Sequence, residues 1–248
     1  MGLKLFLHGV PDTPSMWDPL IAELSLAPES YRAPAMPGFV SPAPAGFSST
    51  KEAYVDWYIG ETEKAFEAAG PVDLIGHDWG AIITIRVASL RPELVNSWCV
   101  ANALPHPDYQ WHRMARMWQT PMLGELIMAV TRKEALCKAL HAAGIPADLA
   151  SKEASHWTPH MRKAILKLYR SAKTAGSDWW PDTKNLPERG LVFWGEDDPY
   201  VPTWVADKFC DATGANLLKQ SKTGHWSIIE RADVLAAALK KHWNESGR

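Results

Sequence analysis

Short apolar segments alternate with amphipathic segments over most of this chain. Six apolar segments have the length and the β-branched or aromatic content typical of strands: residues 3–9, 30–35, 72–77, 95–102, 190–198 and 215–221. Helical periodicity is present at residues 14–25, 50–69, 79–90, about 202–212 and 227–243. This alternation predicts an α/β fold with a mostly parallel sheet of about six strands and right-handed crossover helices.

The pattern changes between residues 103 and 187, where apolar positions recur at helical spacing and no strand is predicted. We predict helices within residues 107–118, 123–132, 133–144 and 158–176. Because this stretch lies between two predicted strands, we expect a helical cap at 103–187, inserted into a core formed by residues 1–102 and 188–248. A chain of 248 residues fits one domain with such an insertion.

Composition narrows the range of partners. The net charge of −2 gives no reason to expect nucleic acid or an anionic membrane as a partner. Cys99, Cys137 and Cys210 form neither a metal-binding pattern nor a disulfide framework, which favours a reducing cytoplasm and no metal or cofactor. The first apolar segment is too short to span a bilayer. The 13 tryptophans suggest an apolar pocket with N–H groups, so we expect a small apolar organic substrate.

The segment Gly76-His77-Asp78-Trp79-Gly80 lies between a predicted buried strand and a predicted helix. Its spacing is typical of a tight strand-to-helix turn that exposes the central side chain above the edge of a sheet. The N-terminus of the following helix points at Asp78 and favours the ionised carboxylate. We therefore predict that Asp78 is a nucleophile, at a position where many hydrolases have serine.

A nucleophile of this kind needs a base and a group that orients the base. His225 follows the last predicted strand, and Asp197 and Asp198 follow the strand before it. We predict that His225 is the base. We favour Asp198 as the acid that orients it and keep Asp197 as the alternative.

The turn His8-Gly9-Val10-Pro11 follows the first predicted strand. We expect the backbone N–H groups of Val10 and Trp79 to form an oxyanion hole beside Asp78. Pro11 would make this turn rigid, and a cis bond before it is one option. The positions of His8 and Pro11 also place them at the substrate pocket.

Together these segments resemble the α/β-hydrolase superfamily, including its chain order of nucleophile, acid and histidine. The HGVP turn, the GHDWG turn, the Gly195–Asp198 loop and the late Gly-His-Trp are most similar to the epoxide hydrolase and haloalkane dehalogenase branch. Both groups use aspartate as the nucleophile. The resemblance implies two further strands before the HGVP strand, but His8 is only the eighth residue, so we expect six strands. The segment at 30–35 then becomes an edge, blunted by Pro34 or covered by a partner subunit in a homodimer.

The resemblance also assigns residues in the cap. "LKLYRSA" resembles the epoxide hydrolase segment whose tyrosine protonates the epoxide oxygen, which would be Tyr169. The first tyrosine of that family aligns near Met114, and Tyr109 is the candidate to replace it. For a dehalogenase, the indole N–H groups of Trp79 and Trp118 would hold the halide. We place His8, Pro11, Tyr109, Met114 and Trp226 around the substrate.

The remaining cap histidines, His106, His112, His156 and His160, have no regular metal-ligand spacing. We interpret them as surface or packing residues. We likewise expect His77 to orient the turn that carries Asp78.

Aspartate has a chemical advantage over serine when the substrate carbon is saturated. A carboxylate that attacks such a carbon forms an ester, which water activated by His225 can cleave. The leading hypothesis is therefore a hydrolase that opens a small apolar epoxide to a diol. A haloalkane or haloacid dehalogenase with the same residues is the first alternative, and a catalytically idle ligand receptor is the second.

Overall fold

The computed structural model describes residues 2–244. Its strands form one parallel sheet in the order β2-β1-β3-β4-β5-β6, as the alternation of segments predicts. The strands are β1 (Lys4–Leu7), β2 (Tyr31–Arg32), β3 (Val72–His77), β4 (Val95–Ala101), β5 (Gly190–Gly195) and β6 (Asn216–Gln220). Because all of them run in one direction, the loops after β1, β3, β4 and β5 meet at the same edge of the sheet.

The helices are α1 (Asp18–Leu24), α2 (Lys51–Ala69), α3 (Trp79–Leu90), α4 (Arg113–Gln119), α5 (Leu123–Val130), α6 (Lys133–Ala142), α7 (Ala147–Ser155), α8 (Pro159–Ser171), α9 (Ala175–Trp179), α10 (Trp204–Thr213), α11 (Ser227–Glu230) and α12 (Ala232–Asn244). Helices α4 to α9 all lie between β4 and β5, where the sequence predicts the helical insertion.

Three local predictions need correction. The helix predicted from residue 107 begins only at Arg113, because His112 is in extended backbone and caps the helix there. Helix α7 was not predicted at all. The helix predicted at 227–243 is broken at Arg231, whose φ of −130° and ψ of 40° lie outside the helical region.

Apolar side chains cover both faces of the sheet. Along β1, Leu5 and Leu7 pack in one core cluster, and Phe6 between them packs in the other. In β3, Leu74 and Ile75 divide in the same way. Successive strand residues point to opposite faces, so a continuous apolar run is what a sheet with helices on both sides requires. The turn that follows β3 therefore stands on a sheet whose two faces are both covered by apolar side chains.

None of the helices within residues 2–244 combines the length and the apolarity needed to cross a membrane.

Candidate active site

Asp78 lies at the apex of the turn between β3 and α3. Its φ of 52° and ψ of −123° are unusual for a residue with a side chain. Two glycines allow this turn to pack closely. A Cβ atom on Gly80 would lie 2.0 Å from the carbonyl oxygen of Leu7, and one on Gly76 would lie 2.4 Å from that of Gly80. The Asp78 side chain is therefore held above the sheet edge, with 14% of its surface exposed.

The turn after β1 binds the Asp78 carboxylate. The backbone N–H of Val10 donates to Asp78 Oδ1 at 2.7 Å, and the Val10–Pro11 bond is cis. Gly9 leaves the necessary space, because a Cβ atom there would lie 2.4 Å from Asp78 Cβ. One carboxylate oxygen of Asp78 is thus held by a backbone N–H of this turn.

A single imidazole lies between two carboxylates. His225 Nε2 is 3.5 Å from Asp78 Oδ2, and His225 Nδ1 is 2.7 Å from Asp198 Oδ2. The Asp198 side chain is completely buried. Its Oδ1 accepts hydrogen bonds from the N–H groups of Tyr200 at 2.7 Å and Val201 at 3.1 Å. These hydrogen bonds therefore hold the Asp198 carboxylate in place against His225 Nδ1.

Asn102, at the end of β4, completes the surroundings of Asp198. Its Nδ2 donates to Asp198 Oδ2 at 2.8 Å, and its Oδ1 accepts from Ser227 Oγ at 2.5 Å. Asp197, the alternative acid, is exposed, and its N–H donates to the carbonyl of Thr223. Of the two aspartates, Asp198 is the one whose carboxylate contacts His225.

Two buried side chains hold the loop that carries His225. His77 Nε2 donates to the backbone carbonyl of His225 at 2.9 Å. Trp226 Nε1 donates to the two oxygens of Asp12 at 3.1 and 3.2 Å. The hydrogen bond of the His77 side chain therefore supports the His225 loop.

A largely apolar cavity of about 250 Å³ opens above Asp78. Residues of α4, α5, α6 and α8 form its upper wall, and the Val10–Pro11 turn and the His225 loop form its floor. Polar groups on the wall include His112, Tyr169 and Tyr200. Within residues 2–244, no lysine or arginine lines it. Such a cavity suits a small neutral molecule.

The sequence profile of the alpha/beta hydrolase family matches residues 5–238. The chain belongs to this family. It is 26% identical over 255 residues to the AB hydrolase superfamily protein YfhM of Bacillus subtilis, an alignment that covers 94% of this chain and 87% of that protein.

Solved structures share the fold of this α/β-hydrolase. The epoxide hydrolase VrEH1 from Vigna radiata superposes with a TM-score of 0.77 at 19% identity, covering 98% of this chain and 91% of that one. A loop variant of the haloalkane dehalogenase DbeA from Bradyrhizobium elkanii superposes with a TM-score of 0.77 at 19% identity, covering 100% and 92%. At this level of identity the likeness shows the fold.

The electrostatics of this α/β-hydrolase site centre on His225. Burial by itself lowers the pKa of His225, but the carboxylates of Asp198 and Asp78 outweigh burial and raise it to about 10. Burial by itself raises the pKa of the Asp78 carboxyl. His225 and the Trp79 N–H lower it by more than burial raises it, so the net shift is downward. Burial also raises the pKa of the Asp198 carboxyl, but His225, the Asn102 amide and the Tyr200 N–H outweigh burial, so the net shift is downward. At neutral pH the resting site is an imidazolium between two carboxylates.

Tyr169 of α8 lines the cavity together with Asp78. Its ring contacts three indoles, with centroid distances of 5.3 Å to Trp79, 5.5 Å to Trp111 and 5.0 Å to Trp118. Burial raises the pKa of Tyr169 well above its ordinary value, so the hydroxyl stays protonated. Within residues 2–244, the buried indole N–H of Trp118 has no hydrogen-bond partner.

Other residues expected at the pocket divide into two groups. Val10, Pro11, Met114, Trp118 and Trp226 line the cavity. Tyr109 does not, because its hydroxyl donates to the backbone carbonyl of Tyr200 at 3.0 Å. Its proposed role as a replacement tyrosine is therefore wrong.

His8 is also absent from the cavity wall. It is completely buried, with Nδ1 donating to the carbonyl of Gly9 and Nε2 accepting from the N–H of Met36. Burial lowers its pKa to about 4, so it is a neutral structural residue. His8 lies in the HGVP turn next to the site, but its side chain faces the protein interior and not the cavity. Trp79 likewise packs against Tyr169 without lining the cavity.

Sequence reasoning missed three residues at or near the site. Tyr200, two residues after Asp198, and His112, interpreted above as a packing residue, both line the cavity. Glu153 of α7 is buried, and its Oε1 accepts from Thr13 Oγ1 at 3.1 Å and Ser15 Oγ at 2.8 Å. These hydrogen bonds tie α7 to the loop after the HGVP turn.

Proposed function

We propose that this α/β-hydrolase opens a small epoxide to a diol through an ester formed on Asp78. The observation that carries the proposal is the environment of the Asp78 carboxylate. One oxygen is held by the Val10 N–H, the other faces His225 Nε2, and both lie in the cavity that Tyr169 lines. The matched family supports a hydrolase, and an epoxide hydrolase is among the structures that share its fold.

In the first step, Asp78 attacks one epoxide carbon and the carbon–oxygen bond of the ring breaks. A new ester bond forms, and the released oxygen takes a proton from Tyr169. The resulting tyrosinate is reprotonated by the His225 imidazolium through water in the cavity. The products of this step are a hydroxyalkyl ester and a neutral His225, so charge and protons balance.

Ester formation itself prepares His225 for the second step. Esterified Asp78 has no negative charge, so one of the two carboxylates that raise the pKa of His225 is removed. Neutral His225 then accepts a proton from water as the water attacks the ester carbonyl, which belongs to Asp78. The oxyanion forms where Val10 N–H already donates. As it collapses, the bond between the Asp78 carbonyl carbon and the ester oxygen breaks, and the leaving oxygen takes the proton of the newly added hydroxyl. This releases the diol, restores the Asp78 carboxylate and leaves His225 as the imidazolium.

A haloalkane dehalogenase is the second candidate, because Trp118 lines the cavity and its buried indole N–H has no hydrogen-bond partner within residues 2–244. A departing halide would accept a hydrogen bond from such a group. Carboxylate-bearing haloacids fit less well, since the described part of the cavity wall offers no cation and Asp78 is itself anionic. Val10 at the x position of the HGVP turn also offers no side-chain donor to a halide.

The test uses His225→Gln, which removes the base and should trap the ester. Intact-protein mass is measured after incubation with cyclohexene oxide or with 1-bromohexane. An epoxide adds its full mass, because no atom leaves, whereas a bromoalkane adds its mass less that of hydrogen bromide. We expect the epoxide adduct to form, and we expect no adduct in the double variant that also carries Asp78→Ala.

A second measurement follows the oxygen atom. Wild-type turnover in H₂¹⁸O should introduce ¹⁸O into the Asp78 side chain, because water attacks the carbonyl of that residue. Turnover of an epoxide without label in Asp78 and without an adduct in His225→Gln would contradict the ester. Halide release without any diol would favour the second candidate.

A further inference from the structure

His112 occupies the N-cap of α4. Its Nδ1 accepts a hydrogen bond from the backbone N–H of Ala115 at 3.3 Å. Serine, threonine, asparagine and aspartate are the usual caps, and any of them would satisfy this helix end. The helix cap uses only Nδ1 of His112, so the second ring nitrogen, Nε2, is not needed for capping.

The cap determines where the imidazole proton lies. Because Nδ1 is an acceptor, the proton of neutral His112 is on Nε2. Burial lowers the pKa of His112 to about 4, so the ring is neutral at physiological pH. Within residues 2–244, no protein acceptor pairs with Nε2. His112 is thus a neutral hydrogen-bond donor with one fixed tautomer and no partner.

This donor lies in the same cavity as the reacting groups. His112 lines the same cavity as Asp78 and Tyr169. Its ring and that of His225 both contact the Tyr200 ring, each with a centroid distance of 5.0 Å. The two imidazoles are therefore separated by twice that distance at most. The nearby Asp78 charge is also the main influence that opposes the lowered pKa of His112.

We infer that His112 Nε2–H is the second donor to the oxygen that leaves the reacting carbon, beside the Tyr169 hydroxyl. It takes the place that Tyr109 does not fill, since the Tyr109 hydroxyl is bonded to the main chain. His112 polarises the carbon–oxygen bond, and Tyr169 transfers the proton. The inference rests on the proposed function in assigning the reacting oxygen, but donation to a neutral oxygen in this cavity can be tested separately.

The experiment uses two substitutions of His112 that separate its role as a helix cap, through Nδ1, from its role as a hydrogen-bond donor, through Nε2. Asparagine places its amide near the position of Nδ1, so His112→Asn keeps a cap acceptor and removes the distal donor. Glutamine places its amide near Nε2, so His112→Gln keeps a distal donor and weakens the cap. His106→Asn is the matched control, because His106 Nδ1 also accepts a backbone N–H, that of Asp108 at 3.1 Å, but His106 does not line this cavity.

The probes are cyclohexanone and methylenecyclohexane, which differ in having C=O or C=CH₂. We expect His112→Asn to weaken cyclohexanone binding about 3- to 10-fold, as for loss of one neutral hydrogen bond. His112→Gln should bind it within about twofold of wild type, although its helix end is weaker. Methylenecyclohexane should bind all variants alike, and His106→Asn should match wild type with both probes.

The opposite pattern, with loss in His112→Gln and none in His112→Asn, would mean that His112 is only a helix cap. A wild-type measurement keeps the test independent of variant folding: cyclohexanone should move the imidazole ¹⁵N signal of His112 Nε2. No binding of cyclohexanone, or binding without that shift, overturns the inference. If the ketone results hold while no ester forms on Asp78, the donor stands and the proposed reaction fails.

Discussion

Substitution of Tyr169 by phenylalanine separates the two candidate reactions most directly. The change removes one hydroxyl and keeps the ring, so the contacts with Trp79, Trp111 and Trp118 remain. Only 3% of Tyr169 is exposed, and the phenylalanine ring would occupy the same buried position. We therefore expect the free energy of unfolding to change by no more than about 1 kcal/mol.

The expected effect on an epoxide reaction is much larger. Opening the ring produces a strongly basic alkoxide, and the buried Tyr169 hydroxyl is kept protonated by its raised pKa. General acid catalysis typically contributes about 10²–10⁴-fold, or about 3–5 kcal/mol of barrier. His112 and cavity water recover part of this, so ester formation should slow at least about tenfold. A halide is a weak base, and its release should be nearly unaffected by the same substitution.

The assay is rapid-quench mass spectrometry of the Asp78 ester, which measures the first step alone. Tyr109→Phe is the matched control, because it removes a cap hydroxyl that donates to the Tyr200 carbonyl and does not reach the cavity. Equal rates of ester formation from an epoxide in wild type and Tyr169→Phe would refute the general acid role. If halide is the leaving group, Trp118→Phe should slow the first step instead, because the Trp118 indole lines the cavity.

Two further predictions concern Asp78 and Glu153. Asp78→Ala should abolish turnover while circular dichroism and cooperative unfolding show an intact fold, because the side chain lies above the sheet edge; retained activity would remove Asp78 as the nucleophile. Burial and the charge of Asp12 raise the pKa of Glu153 from 4.5 to about 8, so the folded state holds this proton more tightly than the unfolded chain. The contribution of this proton to the free energy of unfolding is complete below about pH 4.5 and is lost as pH rises to about 8. Over that range the free energy of unfolding falls by up to about 1.4 kcal/mol per pH unit. Glu153→Gln still accepts from Thr13 and Ser15 but cannot ionise, so urea unfolding should show it more stable than wild type at pH 8 and similar at pH 4; parallel pH curves for the two proteins would contradict this.

Local sequence determined the sheet and the turn that carries Asp78. The apolar run of 72–77 indicates a strand covered on both faces, and the glycines at 76 and 80 indicate a tight turn around Asp78. The order of Asp78, an aspartate after β5 and His225 after β6 follows from the same local reasoning, because parallel strands bring their carboxyl ends together. These features depend on backbone geometry and on residues adjacent in the chain.

The cavity wall was decided by tertiary packing. Asp197 and Asp198 are neighbours in sequence, and only the direction of each side chain shows that Asp198 contacts His225. Tyr109 and His112 are three residues apart, yet one bonds to the main chain and the other faces the cavity.

The hydrogen bond between Thr13 and Glu153 joins residues 140 positions apart. Which face of a short helix is turned inward depends on all the helices packed against it, and these come from distant parts of the chain. Hydrophobic periodicity could predict that the insertion is helical, but the identity of the side chains that meet above Asp78 depends on how those helices cross.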